Sequence, residues 1–497
     1  MTRAVYVGAS VLLASLLFGL AVNATAVPSE ASPTDEGINV THYDVNLRYQ
    51  PEPELLSGVT TILATATRTV SQFDLHLLLG VSSVSVNNEP AAFTAKDGKL
   101  TVTPKPPVAA GADLLVVVRY RDNPAKYPPH PEHGWGWRHS PTGAVAVASS
   151  AWWYPSSFNP ADRATFDVSV TVPRGTEAMA SGALQYGGPI AVPGGDQWSW
   201  RGTRPQVAQS ALLAIGQYDL RTSSSPTGQP VVTAYSTDLG DLNAPARASV
   251  DRTPEIVQAL SNWFGPYPYN AQGGVVDSAF FNVVATATRP IYAGSYFQGG
   301  ANASMVAHEN AHQWYGNAVN PISLTTRWMS EGFATYAEFL WSEHEGLGTA
   351  AELAQYYYDQ FPTGHPEWQH PPANPDPNSN SAFPVYTRAA LALHALRTAV
   401  GDDTFFRIMR TWASAQQIDG VPTTAGFIAH AQQISGADLD ALFQAWLFAG
   451  ERPATGPNGP ATAKPEPKSY QQITANSRLL TQEAHDHLAA LQTVPAE

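Results

Sequence analysis

The chain has 497 residues, 27 Lys plus Arg against 41 Asp plus Glu, a net charge of −14 and no cysteine. At 43% hydrophobic and 14% charged residues it has apolar material for several cores, which excludes an intrinsically disordered chain. No basic cluster offsets the acidic balance, which excludes a nucleic-acid partner, and without thiols any metal must be held by His and carboxylate.

Arg3 precedes a nearly unbroken apolar run from Val5 to Val22, and the small residues Ala24-Thr25-Ala26 follow. This pattern predicts a secretory signal over 1–26, cleaved after Ala26, with a secreted mature protein; an uncleaved N-terminal anchor is the alternative. No other run reaches the length of a membrane span, so no stable span is expected in the mature chain, and a monomer is expected. Residues 27–36 read as a disordered N-terminal segment.

From 37 to 222 the pattern is strand-like. Val40 to Tyr49 alternates apolar and polar residues, and Asp97-Gly98 between Phe93–Ala95 and Leu100–Val102 reads as a hairpin turn. Leu114–Tyr120 and Phe166–Val172 continue the theme, predicting an antiparallel β domain. Within it, His130, His133 and His139 stand among Pro and Trp in a loop, read as a packed aromatic loop with a second metal site as the alternative.

From about Val250 helices take over, with Pro254 at a first-turn position. Helical runs are predicted at Ala301–Tyr315, Ser330–His344, Thr349–Tyr357, Ala389–Val400, Thr404–Ala415, Thr424–Ile434 and Asp438–Phe448. The Pro- and Asn-rich stretch between Phe361 and Phe383 reads as a functional rim or flap, with His365 and His370 solvated. Residues 223–450 thus form a mainly helical domain. Residues 451–497 read as a Pro/Ala-rich linker to about Lys468, then a peripheral helix over Tyr470–Leu491. The predicted fold class is α+β, multidomain. Asn39-Val-Thr and Asn302-Ala-Ser match the glycosylation acceptor pattern.

The chemistry is concentrated at His308-Glu309-Asn310-Ala311-His312. Four residues apart on a helix, His308 and His312 share one face and can reach one zinc ion, while Glu309 lies about 100° around and can touch an attacking water. A catalytic zinc needs a third protein ligand, and Glu331, after eighteen intervening residues, opens another helical run that a turning loop can bring back. One zinc per chain is expected. With it, Glu309 would take the proton of the water and return it to the leaving amine, as in metal-assisted hydrolysis.

These motifs, His308-Glu-Asn-Ala-His-Gln-Trp-Tyr-Gly-Asn317 and Trp328-Met-Ser-Glu-Gly-Phe-Ala-Thr-Tyr336, resemble the aminopeptidase N family of gluzincin zinc peptidases. His42-Tyr43-Asp44, Trp153-Tyr154-Pro155 and the segment up to Phe166 resemble that family's N-terminal domain, and Tyr386-Thr-Arg-Ala-Ala-Leu391 and Gly401–Phe406 its later helices. The resemblance runs from about Ile38 to Gly450; only a short tail follows where the family has a large helical domain. It implies a saddle-like β domain on a thermolysin-like catalytic domain, a peptide or related amide substrate, and Tyr386 as the group that stabilises the oxyanion.

Two departures bear on specificity. The family binds the substrate's free α-amine with acidic side chains, one of them shortly before a Thr-Arg-Pro. Here Ala285 precedes Thr288-Arg289-Pro290, and Ala146, within Ala144–Ala151, stands where a second acid or amide is expected. An ammonium buried without a counter-charge is costly. Altered N-terminal amine recognition is therefore expected, with an endopeptidase or amidase acting on substrates without a free N-terminus as one alternative and a catalytically weak zinc-fold binding protein as another.

Overall fold

The computed structural model describes residues 37–129, 136–140, 143–147, 150–157, 159, 162–320, 323–376, 381–416, 422–460, 466–471 and 473. The predicted signal and the segment behind it, His130 and His133, and nearly all of the predicted C-terminal helix lie outside these residues. No helix among the described residues is long and apolar enough to cross a membrane.

A strand-rich N-terminal half is followed by a helical half. The first half is built on a nine-stranded sheet, with three- and four-stranded sheets beside it. Alternation decides which faces are buried: in the Asp113–Asp122 strand Leu114, Val116, Val118 and Tyr120 point into the core. The predicted hairpin forms, with Asp97 and Gly98 both at positive φ (50° and 78°) between the Ala92–Lys96 and Lys99–Thr103 strands. One pairing departs from the antiparallel expectation. Ile38–Pro51 runs antiparallel to Glu54–Ala66 but parallel to Arg163–Val172, with Tyr43 opposite Phe166. The chain reaches that edge only after a long crossover, which is what a parallel pair requires.

The residues that carry the N-terminal resemblance converge in this core. Tyr43 stacks on Phe166 at 4.9 Å and meets Tyr154 edge-on at 5.4 Å, and its hydroxyl accepts the Ser157 N–H at 3.0 Å. Their signature is thus one of aromatic packing rather than chemistry.

The second half opens with a five-stranded sheet whose first strand, Tyr218–Ser224, pairs along its length with Pro230–Ser236. A division at 222/223 would cut this hairpin, so hydrogen bonding places the change of sheet between Gly216 and Tyr218. Around it lie α1 (Asn243–Val250), α2 (Thr253–Phe264), α3 (Ala303–Ala311), α4 (Trp328–His344), α5 (Ala350–Gln360), α6 (Ala389–Val400), α7 (Asp402–Gln416), α8 (Thr424–Ser435) and the short α9 (Asp440–Phe443). Their ends follow local chemistry. Thr349 and Glu352 form a reciprocal capping box at the start of α5, and α8 stops at Gly436 in the left-handed region. The predicted Asp438–Phe448 helix is broken: α9 gives way to a π turn over Gln444–Phe448.

The described residues after Gly450 pack against the helical half. Asn458 donates to the Ala351 carbonyl and its Oδ1 accepts from His394 Nε2, while Ser469 and Tyr470 are buried, Tyr470 edge-on to Tyr356 at 4.3 Å. Residues 451–460 and 466–471 are therefore packed along α5 and α6 rather than free of the domain.

Candidate metal centre

Helix α3 starts at Asn302, whose side chain accepts the Met305 N–H at 3.1 Å. That amide is buried in the cap, which removes Asn302 as a glycan acceptor; Asn39 is exposed. The apolar periodicity predicts a helix as far as Tyr315, but α3 ends at Ala311, leaving His312 as its C-cap. The N–H groups of Asn317, Ala318 and Val319 turn back onto the carbonyls of His312, Gln313 and Trp314, five residues earlier, and Gly316 takes φ +140°. A Cβ on Gly316 would stand 2.9 Å from Ser330 Oγ and 3.1 Å from His312 Nδ1, so glycine keeps that space for the two to meet.

Helix α4 returns beside α3 and carries Glu331 in its first turn. Glu331 Oε2 lies 3.7 Å from His308 Nε2 and 3.5 Å from His312 Nε2, and a ligand atom from each of the three falls within 4.8 Å of the others. The outer ring nitrogens are also engaged. His308 Nδ1 is 2.7 Å from Glu338 Oε1; His312 Nδ1 is 3.0 Å from both the Tyr315 carbonyl and Ser330 Oγ. Donation from each Nδ1–H leaves the Nε2 lone pair facing Glu331, the tautomer a metal needs.

Two imidazoles and one carboxylate converging on a point, with no sulfur, form the donor set of a three-ligand zinc site with an open position. The electrostatics agree. Burial disfavours a charged His308, yet Glu331 and Glu338 hold it well above the ordinary imidazole range, and Glu331 raises His312 likewise. Burial also opposes a charged Glu331, but His312, His308 and Arg327 outweigh it and hold that carboxyl well below its usual value. The pocket stabilises positive charge at the ligands, as a cation site must.

Glu309 is buried with the histidines, and burial, aided by Glu331 and Glu338, pushes its carboxyl up against their pull. That is the direction a proton-transferring carboxylate needs. Tyr386 sits in a π turn, Pro384–Arg388, with its ring stacked 6.1 Å from His308. Burial, Glu331 and Glu309 raise its phenol while the Arg327 guanidinium opposes them, so it stays a donor at neutral pH.

Glu338 stands outside the sequence motifs, although its spacing carries the signal: seven residues past Glu331 is two helical turns on the same face. Glu338→Gln is expected to weaken zinc binding by roughly ten- to a hundred-fold, the usual cost of losing a carboxylate behind a ligating imidazole. Competition with a chelator of known affinity measures it, and an unchanged affinity removes Glu338 from the site. Gln313 and Asn317 also act here without a sequence signal of their own. Gln313 donates to the Thr286 carbonyl at 3.0 Å and accepts the Thr288 N–H at 2.8 Å, and Asn317 donates to the Ala285 carbonyl at 2.7 Å. Together they staple the Ala285–Thr288 segment to the end of α3.

That segment follows Val283–Val284, the edge strand of the five-stranded sheet. Ala285 is half-buried there, whereas Ala146 is fully buried in the Gly143–Val147 strand, opposite Leu213 and Trp137. Of the remaining histidines, His139 is exposed and bound to Glu54 at 3.1 Å. His365 caps the Pro366–Gln369 turn and stacks on Phe361, so it is ordered rather than merely solvated. Among the described residues, His308, His312 and Glu331 are the grouping that could hold a metal ion.

Residues 292–446, which include His308, Glu309, His312, Glu331 and Tyr386, match the Peptidase family M1 domain. The crystal structure of an M1 zinc metallopeptidase from Deinococcus radiodurans superposes with a TM-score of 0.73 at 25% identity, covering 86% of this chain and 97% of that one. Residues 292–446 are thus similar to an M1 peptidase domain of the aminopeptidase N type. Among curated M1-type relatives, the aminopeptidase N of Lactococcus lactis is 29% identical over 161 residues, 29% of this chain. That of Streptomyces lividans is 23% identical over 324 residues, 59% of this chain. The matches span 18% and 36% of those relatives' own lengths, so the chain corresponds to part of them. A variant of the Deinococcus enzyme has been solved with a Tyr-Ser-Ala substrate.

Proposed function

We propose that the chain is a secreted zinc peptidase that hydrolyses peptide bonds and holds the substrate's N-terminal amine weakly. The convergence of His308, His312 and Glu331, with Glu309 buried beside them, carries this reading. Secretion rests on the apolar run Val5–Val22 and the small residues up to Ala26. A zinc ion held by the three ligands would supply Lewis-acid polarisation. The chain's own groups do the rest. Glu309 moves a proton from the attacking water to the leaving amine, and the Tyr386 hydroxyl donates to the developing oxyanion. The Val283–Val284 edge offers main-chain hydrogen bonds to an extended peptide, and these do not depend on side chains.

Weak amine binding rests on Ala285, just after this edge, a methyl group where the family resemblance expects a carboxylate for the substrate ammonium. Losing a charge-assisted hydrogen bond costs about 1.5–3 kcal/mol, roughly ten- to a hundred-fold in binding. A neutral N-acylated substrate loses nothing, which favours the endopeptidase or amidase alternative. The expected result is poor activity on free aminoacyl anilides and relatively better, chelator-sensitive use of N-acylated or internal bonds. The measurement is the ratio of kcat/KM for a peptide and its N-acetyl counterpart. A preference for the free amine of about a hundred-fold or more, the top of that range, overturns the reading. Ala285→Glu is expected to move the ratio toward the free amine.

A further inference from the structure

Arg289 is fully buried where the two halves of the molecule meet. Its guanidinium lies over the Trp200 indole of the β half at 4.5 Å. Nη1 donates to the Ala180 carbonyl at 2.8 Å and reaches Thr288 Oγ1 at 3.3 Å. Among the described residues the opposite edge, Nε and Nη2, makes no hydrogen bond. That edge is a two-donor fork, and elsewhere in the chain it closes on a carboxylate. Arg201 grips Asp167 through it at 2.9 and 2.9 Å, Arg252 grips Glu255 at 2.9 and 2.8 Å, and Arg397 grips Asp402 at 2.9 and 2.9 Å.

Tyr267 is a further donor beside Arg289, and Tyr269 lies next to Tyr267 and Arg163. The hydroxyls of Tyr267 and Tyr269, whose rings are 6.1 Å apart, are buried and unpartnered, and burial keeps both phenols protonated. Burial lowers Arg289 to about 9, and Tyr267 is the neighbouring group that opposes this. Arg163, close enough to Tyr269 to feel it, is also lowered by burial. Among the described residues no carboxylate acts on either arginine. A guanidinium does not shed its proton at neutral pH, and a buried charge without a counter-charge is costly. A water molecule would satisfy the fork's hydrogen bonds but leave the charge uncompensated.

We propose that the Nε–Nη2 fork of Arg289, with the neighbouring Tyr267 hydroxyl, binds a small monovalent anion of chloride or formate size. Chloride fits the fork as a single acceptor and formate as a bidentate one. The site lies behind the Ala285–Thr288 segment, whose Thr288 also accepts the Gly182 N–H at 2.9 Å, so a bound anion ties the two halves together there.

The test is thermal unfolding of the zinc-loaded full chain at constant ionic strength, with gluconate replaced stepwise by chloride or by formate. The expected result is a saturable rise in Tm with one or both small anions; chloride alone indicates a halide site, and both indicate a site open to small oxyanions. In Tyr267→Phe, which keeps the ring, the apparent affinity is expected to fall about tenfold or more. A bromide derivative of the unmodified protein is expected to show an anomalous peak within hydrogen-bonding reach of Nε and Nη2, whether or not the variant folds. No anion-specific change in Tm, an unchanged response in Tyr267→Phe, or a bromide derivative with no peak at the fork overturns the proposal.

Discussion

Replacing Glu309 with Gln is expected to lower kcat for peptide hydrolysis by roughly 10²–10⁴-fold, the range general acid–base groups supply. Zinc content is expected to stay near one per chain. The two properties separate because Glu309 is not among the three converging ligand atoms. Its buried carboxyl, raised by its surroundings, is the group that can accept a proton and give it back. Glutamine keeps the shape and loses the basicity. Glu331→Ala is the contrasting variant: it removes one of three ligands and leaves two buried imidazoles raised by fewer carboxylates, so zinc is expected to be lost together with activity. Elemental analysis and kcat on the same preparations distinguish the two. A Glu309→Gln protein that retains full turnover, or a Glu331→Ala protein that retains full zinc, would sink the assignment.

What the sequence made legible was what depends on spacing. Residues four apart on a helix share a face regardless of tertiary context, so His308 and His312 pair on their spacing alone. Glu331 needed one further step, a returning helix, and α4 supplies it. Residue type alone also placed Asp97-Gly98 in its turn. What stayed hidden depends on three-dimensional neighbours. Nothing local announces that Ile38–Pro51 runs parallel to Arg163–Val172, because the partner lies across a long crossover. Nor does an apolar periodicity through Tyr315 reveal that three backbone N–H groups will turn back and end α3 at Ala311. Glu338 lies between these cases, since its helical spacing was readable but its role required knowing which face of α4 meets His308.

Hidden in the same way was the anchoring of the long Phe361–Phe383 segment. The sequence reads it as a rim or flap. The structure pins its middle: Trp368 is buried, and Arg388 donates to the Trp368 carbonyl at 2.6 Å and to the Trp446 carbonyl at 3.0 Å. Arg388 also reaches the His370 carbonyl at 3.4 Å and that of Ala445 at 3.2 Å. Its guanidinium thus replaces a hydrophobic plug with several backbone partners, and burial lowers it to about 10 without a carboxylate beside it. Arg289 differs in the way it is satisfied. Arg388 spreads its charge over carbonyl dipoles on all sides, whereas Arg289 satisfies one edge only.

The same anchoring makes Tyr386→Phe a clean measurement. Tyr386 stands two residues before Arg388 in the π turn, so its backbone position is held from below and the ring's stacking on His308 does not require the hydroxyl. The variant is expected to keep its zinc and its thermal stability while kcat falls by roughly 10²–10³-fold, the cost of removing one preorganised oxyanion donor. KM is expected to change little, because the hydroxyl's contribution is confined to charge that develops as the carbonyl is attacked. Its raised phenol supports this assignment, since a group that donates to an anion must hold its proton at working pH. The measurement is kcat and KM for one peptide substrate with both proteins zinc-loaded. An undiminished kcat would move the oxyanion role to another donor, and Arg327, whose Nε lies 3.8 Å from Glu331 Oε1, is the cation placed to take it. A rise in KM alone would instead make Tyr386 a substrate-binding group on the rim of the site.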